Sequence, residues 1–170
     1  ALEQWYLGET NVIPVWQDYT GKGIRIGQFD PGGAFAVGLD VLDYTHPDLQ
    51  GSVDKAWLND AANPVSQTFS NHATMVAGVM VAGRNGLGGI GVAYDAKVSG
   101  NPLPVDLSEF YLPQPGQQID LGGKLDILYN MKNYDVVNAS WNTTGTLAWT
   151  VLTGNPDPHE QAAALGRDGK

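Results

Sequence analysis

The segment NHATMVAGVMVAG, residues 71–83, decides the fold because it predicts a helix built for a crowded interior. Asn71 is placed to cap this helix, and His72, one of three histidines in the chain, stands in its first turn. Four residues of the helix are small enough for close packing: Ala73, Ala77, Gly78 and Ala82. A buried helix that begins with a histidine raises the question of what the imidazole contacts.

Strands and further helices are predicted around this segment. The strands are IRIGQF (24–29), AKVSGN (96–101) and YDVVNASW (134–141), of which the last is expected to be buried. Helices are expected at 11–19 with Asn11 as the cap, at the amphipathic 120–133, and in 159–170, which ends in a turn. This alternation favours an α/β fold of three layers around a mostly parallel sheet, with residues 1–170 all belonging to one domain.

Composition excludes several classes of function. The chain has 170 residues and a formal net charge of −9, so it offers no basic stripe to a nucleic acid or an anionic membrane. It has no cysteine, which excludes disulfides, zinc thiolates and thiol nucleophiles. No apolar run approaches the length of a membrane span, about 18 residues. We therefore expect no nucleic-acid or membrane partner.

Two polar residues are placed to meet at one edge of the predicted sheet. Asp30 directly follows the first strand, and His72 begins the helix that would cross over the sheet. If they meet, the carboxylate accepts the Nδ1 proton of the imidazole and leaves Nε2 to take a proton from a nucleophile. Blander interpretations stay open: His72 can be a satisfied core histidine or a neighbour of the cap, and Asp30 can belong to a turn, since DPGG favours one.

Longer motifs carry a family resemblance. YTGKGIRIGQFDPG (19–32), YTHPDL (44–49), NHATMVAGVMVAGRNGLGGIGVAYDA (71–96) and DVVNASW (135–141) occur in this order. Together they resemble the subtilisin-like serine proteases, and GVAY and NASW are most similar to the kexin-like bacterial branch. The resemblance implies a subtilisin-like fold, a secreted or extracellular protein of bacterial type, and hydrolysis of polypeptide substrates by an Asp-His-Ser triad.

The resemblance also implies roles for individual residues. Asp30 and His72 match the catalytic aspartate and histidine, although Ala73 and Met75 depart from the family motif H-G-T-[HR]-V-A-G. Three further residues match the strand edge that pairs with extended substrate: Ser140, Trp141 and Asn142.

A second carboxylate competes with Asp30. The segment between Asp30 and HPDL is longer than is usual in the family, so Asp43 is an alternative functional carboxylate. Asp30 is preferred because it directly follows the apolar strand and keeps the D-x-G pattern with Gly32.

The glycine-rich loop GRNGLGGIG (83–91) matches the family's structural calcium site. Glycines let carbonyl oxygens turn inward, which suits a cation that takes six to eight oxygen ligands. The resemblance implies a ligand set made of the Asn85 side chain, the Asp48 carboxylate, and the carbonyls of Gly83, Leu87 and Gly89. The alternative is a glycine-rich turn that holds no ion.

The nucleophile is not found in this sequence. The family's serine and its oxyanion asparagine are expected after residue 170, so residues 1–170 are predicted to be the N-terminal part of one peptidase domain. This part requires the missing C-terminal half as a partner and is predicted to be inactive alone. The alternatives are a non-catalytic peptide-binding module of the same fold and a calcium-stabilised structural module.

Overall fold

The computed structural model of the chain describes residues 4–30, 41–60, 68–103, 126–140 and 158–169. Within these ranges, one parallel sheet is formed by β1 (Arg25–Asp30), β2 (Lys97–Pro102) and β3 (Val136–Asn138). The strand order is β2-β1-β3, so β1 is central and Ile26 lies opposite both Val98 and Val136. The predicted α/β class and parallel sheet are confirmed.

Helices precede, separate and follow these strands along the chain. The described α-helices are α1 (Trp5–Glu9), α2 (Lys55–Asn59), α3 (Asn71–Val81) and α4 (Pro158–Leu165). Three 3₁₀ helices, which are more tightly wound than α-helices, occupy Ile13–Gln17, Asp126–Asn133 and Gly166–Gly169. None of the helices in these ranges is long and apolar enough to cross a membrane.

One face of the sheet is covered by α3, which packs on β1 and β2. Of the four small residues predicted to pack closely, Ala73, Ala77 and Ala82 are buried and Gly78 is half-buried; Val81 is fully buried as well. Their short side chains let the helix backbone approach the strands closely, and the apolar side chains around them complete a dense core. The packing of α3 fixes where its amino end lies relative to the carboxyl end of β1.

The opposite face is covered by Tyr134 and the 3₁₀ helix Asp126–Asn133, on which α4 packs in turn. The ring of Tyr134 lies directly over Gly27, where a Cβ would come within 2.3 Å of the ring. The same ring meets Phe29 edge to face at 6.1 Å between centroids. The sheet therefore lies between two helical layers, as the sequence predicts.

The predicted cap at Asn11 is wrong. Asn11 has a φ of 55° and terminates α1, because its N–H donates to the Gly8 carbonyl while the Val12 N–H donates to the Leu7 carbonyl. This is the Schellman arrangement, in which asparagine tolerates the left-handed conformation that ends a helix. The following segment, Ile13–Gln17, is a 3₁₀ helix that begins after Val12.

The cap of α3 is Ser70 and not Asn71. Ser70 has an extended backbone and its Oγ accepts a hydrogen bond from the Ala73 N–H at 3.0 Å. Asn71 already lies within the helix, so the predicted boundary was one residue late. The difference matters for the site because Ser70 determines where the first turn, which carries His72, begins.

Two further predictions differ from the structure. The described part of the predicted helix 120–133 is the 3₁₀ helix Asp126–Asn133, which buries Leu128 and Met131. The predicted strand 134–141 contributes only the residues of β3, and its Val136 is 50% exposed rather than buried. β3 is at the end of the described strand order, where one edge has no strand beside it and packing is less complete than at β1.

Candidate active site

Asp30 and His72 are in contact. Asp30 is the last residue of β1 and is 3% exposed, and His72 is the second residue of α3. The Nδ1 of His72 lies 2.9 Å from one carboxylate oxygen of Asp30 and 3.1 Å from the other. The side chains that the sequence placed at neighbouring ends of a strand and a helix therefore meet in the folded chain.

Backbone hydrogen bonds hold the amino end of α3 where this contact forms. The Ser70 N–H donates to the Val41 carbonyl at 2.9 Å, in a short parallel bridge between Val41 and Phe69. The Asp43 N–H donates to the Thr74 hydroxyl at 2.9 Å. The segment that precedes the helix and the helix itself are thus tied to the chain around residues 41–43.

The contact determines which ring nitrogen carries the proton. A carboxylate accepts hydrogen bonds and cannot donate them, so Nδ1 of His72 is the protonated nitrogen in the neutral ring. The Asp30 side chain is nearly buried, whereas the side chain of His72 is 42% exposed. The arrangement leaves Nε2 as a basic nitrogen on a partly accessible ring that a buried carboxylate orients.

Asp43, the alternative carboxylate, is engaged elsewhere. Its Oδ1 accepts hydrogen bonds from the N–H and the hydroxyl of Thr45, at 2.8 and 2.6 Å. These bonds to a residue two positions on are typical of an aspartate that stabilises a turn. In this structure the carboxylate that contacts His72 is that of Asp30.

The contact forms although Ala73 and Met75 depart from the motif of the family that the sequence resembles. Ala73 is buried against the sheet, and Met75 is 65% exposed on the helix surface. Neither side chain is among the hydrogen-bonding partners of the Asp30–His72 pair.

The predicted substrate-binding edge is described only at its beginning. Ser140 is half-buried two residues after β3 ends, and its hydroxyl donates to the Asn138 side chain at 3.0 Å. Gln28 lies opposite Asn138 in the register, so both Asp30 and Ser140 lie at the carboxyl edge of the sheet. Trp141 and Asn142 are outside the described residues.

The glycine-rich loop 83–91 wraps around Asp48. The Gly83 N–H donates to the Asp48 carbonyl at 2.9 Å, and the Gly89 N–H donates to Asp48 Oδ2 at 3.0 Å. Asn85 lies in the same loop, where its amide donates to the Pro47 carbonyl at 3.4 Å and its Oδ1 accepts from the Leu87 N–H at 2.9 Å. The five residues of the predicted ligand set are therefore linked to one another by hydrogen bonds, since the Asn85 N–H also donates to the Gly83 carbonyl at 2.8 Å.

The Asp48 carboxylate has one oxygen that the described chain leaves unsatisfied. Asp48 is 8% exposed, and its Oδ1 is buried with no hydrogen-bond partner among the described residues. A buried charged oxygen without a partner is costly, and a cation would satisfy it. Within the described ranges no three His, Cys, Asp or Glu side chains form a cluster, so a cation here would depend on carbonyl and amide oxygens. Calcium accepts such ligands, and the residues present fit it.

Two glutamines at these sites were missed in the sequence. Gln4 holds the glycine-rich loop, donating from Nε2 to the Ile90 carbonyl at 2.9 Å and accepting at Oε1 from the Ile90 N–H at 2.9 Å. These residues are 86 positions apart, and no local pattern links them. Gln28 lies in β1 and donates to the Ala73 carbonyl at 2.8 Å. A polar residue between Gly27 and Phe29, in the middle of a predicted strand, could have drawn attention to this position.

Comparisons with known proteins agree with this geometry. The sequence profile described as the Subtilase family matches residues 21–167. Neuroendocrine convertase 2 of Mus musculus is 31% identical over 163 residues, which cover 84% of this chain and 23% of the relative. PC3-like endoprotease variant B of Hydra vulgaris is 38% identical over 118 residues, covering 58% of this chain and 15% of the relative. The chain thus spans less than a quarter of the length of these curated relatives.

Proposed function

We propose that this chain, which belongs to the subtilase family, supplies the aspartate and the histidine of the catalytic triad in a serine endopeptidase. The observation that carries the proposal is the contact between His72 Nδ1 and the buried carboxylate of Asp30 at 2.9 Å. A Hydra relative with 38% identity is named an endoprotease, which supports the same reaction class.

In the proposed mechanism, His72 is the general base. Nε2 takes the proton of a serine hydroxyl as the hydroxyl attacks the carbonyl of a peptide bond, and later gives the proton to the leaving amine. Asp30 keeps the ring in the required tautomer and stabilises the imidazolium that forms in between. We expect the serine and the oxyanion asparagine outside residues 1–170, as the sequence predicts.

The proposed substrate is an extended polypeptide that pairs with the outer edge of the sheet, at β3 and the residues that follow it. β3 bonds to β1 on one side, and no other described strand pairs with its second edge. A sheet edge of this kind presents backbone donors and acceptors that an extended peptide can satisfy. Ser140, Trp141 and Asn142 are the residues that we propose would contact the substrate there.

The glycine-rich loop is proposed to hold a structural calcium ion. Asp48 and Asn85 would provide side-chain oxygens, and the carbonyls of Gly83, Leu87 and Gly89 would complete the set. The ion would neutralise the buried Asp48 carboxylate and stabilise the loop that follows α3. The unsatisfied Oδ1 of Asp48 supports this assignment. A secreted or extracellular location, as predicted from the resemblance, would supply calcium and remains part of the proposal.

A serine-directed fluorophosphonate probe tests the catalytic proposal in the protein expressed from its complete gene. We expect the probe to label a serine, and we expect His72→Ala to abolish labelling because the serine then has no base. Equal labelling of the wild type and His72→Ala would contradict the proposed role. A protein that binds extended peptides but is never labelled would instead be a peptide-binding module of the same fold.

A further inference from the structure

Strand β1 presents two polar side chains to the first turn of α3. Gln28 and Asp30 are two positions apart and therefore lie on the same face of the strand. Asp30 contacts the His72 ring, and the Gln28 Nε2 donates to the backbone carbonyl of Ala73 at 2.8 Å. β1 thus holds two successive residues of α3: His72 through its side chain and Ala73 through its backbone carbonyl.

The Ala73 peptide groups are fixed from both sides. The N–H of Ala73 donates to the Ser70 hydroxyl at 3.0 Å, and its carbonyl accepts from Gln28. The residue is 1% exposed and lies against the sheet. Rotation or sliding of the first turn would break the bond from Gln28, and the same motion would displace the imidazole of His72 from Asp30.

Gln28 is an unusual residue for its position. It is 1% exposed in the central strand, and its Oε1 has no hydrogen-bond partner among the described residues. An apolar side chain of similar volume would fill the same space without leaving a buried oxygen unsatisfied. The bond from its Nε2 to the Ala73 carbonyl is the one described contact of Gln28 that an apolar side chain could not reproduce.

We propose that Gln28 is a positioning residue, whose bond to the Ala73 carbonyl keeps the His72 ring in register with Asp30. The inference rests on the proposed peptidase function for its kinetic consequence, but the tether itself is a property of the folded chain. Displacement of a general base by a fraction of an ångström lowers the rate of the chemical step while leaving substrate binding largely intact.

The test replaces Gln28 with Met, which conserves volume and removes the amide. In the protein expressed from its complete gene we expect kcat to fall about tenfold and KM to stay within about twofold. The melting temperature should not fall, because the unsatisfied oxygen is removed as well. The NMR resonance of the His72 Nδ1 proton, assigned by its absence in His72→Ala, should move and exchange faster with water.

Ser99→Ala is the matched control. The Ser99 hydroxyl is also buried without a partner among the described residues, so its removal relieves the same kind of cost. Ser99 lies opposite Gly27 in the register and shares the face covered by Tyr134, away from α3. We expect this variant to leave kcat and the His72 resonance unchanged.

An unchanged His72 resonance in Gln28→Met would overturn the proposal, whatever happens to activity. If Gln28→Met does not fold, Gln28→Leu provides the same comparison with a different apolar shape. If the wild type has no peptidase activity, the proposed function fails, and the resonance still decides whether Gln28 positions the ring.

Discussion

The imidazole of His72 meets the carboxylate of Asp30 at 2.9 Å, although the two residues are 42 positions apart in the chain. Asp30 is placed by the end of the central strand, and His72 by the first turn of a helix that the sheet supports. Because both elements are packed in the core, the pair is held before any substrate arrives. Such preorganisation is what general-base catalysis requires.

We expect Asp30→Asn to lower kcat roughly 10³- to 10⁴-fold in the protein expressed from its complete gene. The amide can donate to Nδ1, which favours the wrong ring tautomer and removes the charge that stabilises the imidazolium. Steady-state kinetics on a peptide substrate measure the loss. Asp43→Asn is the control, since its side chain serves the turn at Thr45, and it should leave kcat within about twofold. Equal losses in the two variants would assign no special role to Asp30.

Calcium should raise the thermal stability of the protein. If an ion satisfies the buried Asp48 Oδ1, saturating calcium should stabilise the folded state by about 2–3 kcal/mol, and a chelator should reverse the effect. Melting curves with and without calcium measure this change.

Asp48→Asn should abolish the response of the melting temperature to calcium, because the carboxylate is the only charged ligand in the proposed set. Asp54→Asn is the matched control: Asp54 is also buried, but it caps α2 through Ala56 and Trp57. That variant keeps a capping oxygen but loses the ion pair of Asp54 with Arg25, so it should be slightly less stable in both conditions and keep the full calcium response. A melting temperature that is insensitive to calcium in the wild type would remove the ion from the proposal.

The sequence predicted those parts of the molecule that depend on local pattern. β1, β2 and α3 were located within one or two residues, because their apolar and small side chains repeat with the period of the element. The Asp30–His72 contact was predictable because the carboxyl ends of parallel strands collect functional groups. Predictions for Trp141 and Asn142 lie outside the described residues.

The features that were missed depend on distant contacts. The carboxamide of Gln4 reaches Ile90 across the fold, and the ring of Tyr134 covers Gly27. Neither pairing leaves a signal in the nearby sequence. The 3₁₀ geometry of Asp126–Asn133 likewise does not follow from helical spacing of apolar residues, since the two helix types share similar patterns over one or two turns. Predicted helix boundaries were wrong where two helices adjoin, as at Asn11, which ends one helix instead of starting the next.

Gly88→Ala should destabilise the folded protein by about 2–3 kcal/mol more than Gly86→Ala does. Both glycines have a positive φ, 47° for Gly88 and 81° for Gly86, so alanine is strained at either position. They differ in their surroundings: a Cβ at Gly88 would lie 2.3 Å from Asp48 Oδ2, whereas no atom lies within 4 Å of one at Gly86. Urea unfolding of the two variants measures the difference, and equal losses would mean that the loop does not close on Asp48 as described.

Gly27→Ala should strongly destabilise the sheet, because its Cβ would lie 2.3 Å from the nearest ring atom of Tyr134. We expect a loss of about 3–5 kcal/mol in the free energy of unfolding, since the ring is confined between the strand and the layer behind it. Gly23→Ala is the control for a glycine with open space around its Cβ position, although its φ of 84° adds backbone strain. A double-mutant cycle with Tyr134→Ala isolates the clash: once the ring is gone, Gly27→Ala should cost less than about 1 kcal/mol. An undiminished cost in the Tyr134→Ala background would show that Gly27 is required by the strand itself and not by the ring that covers it.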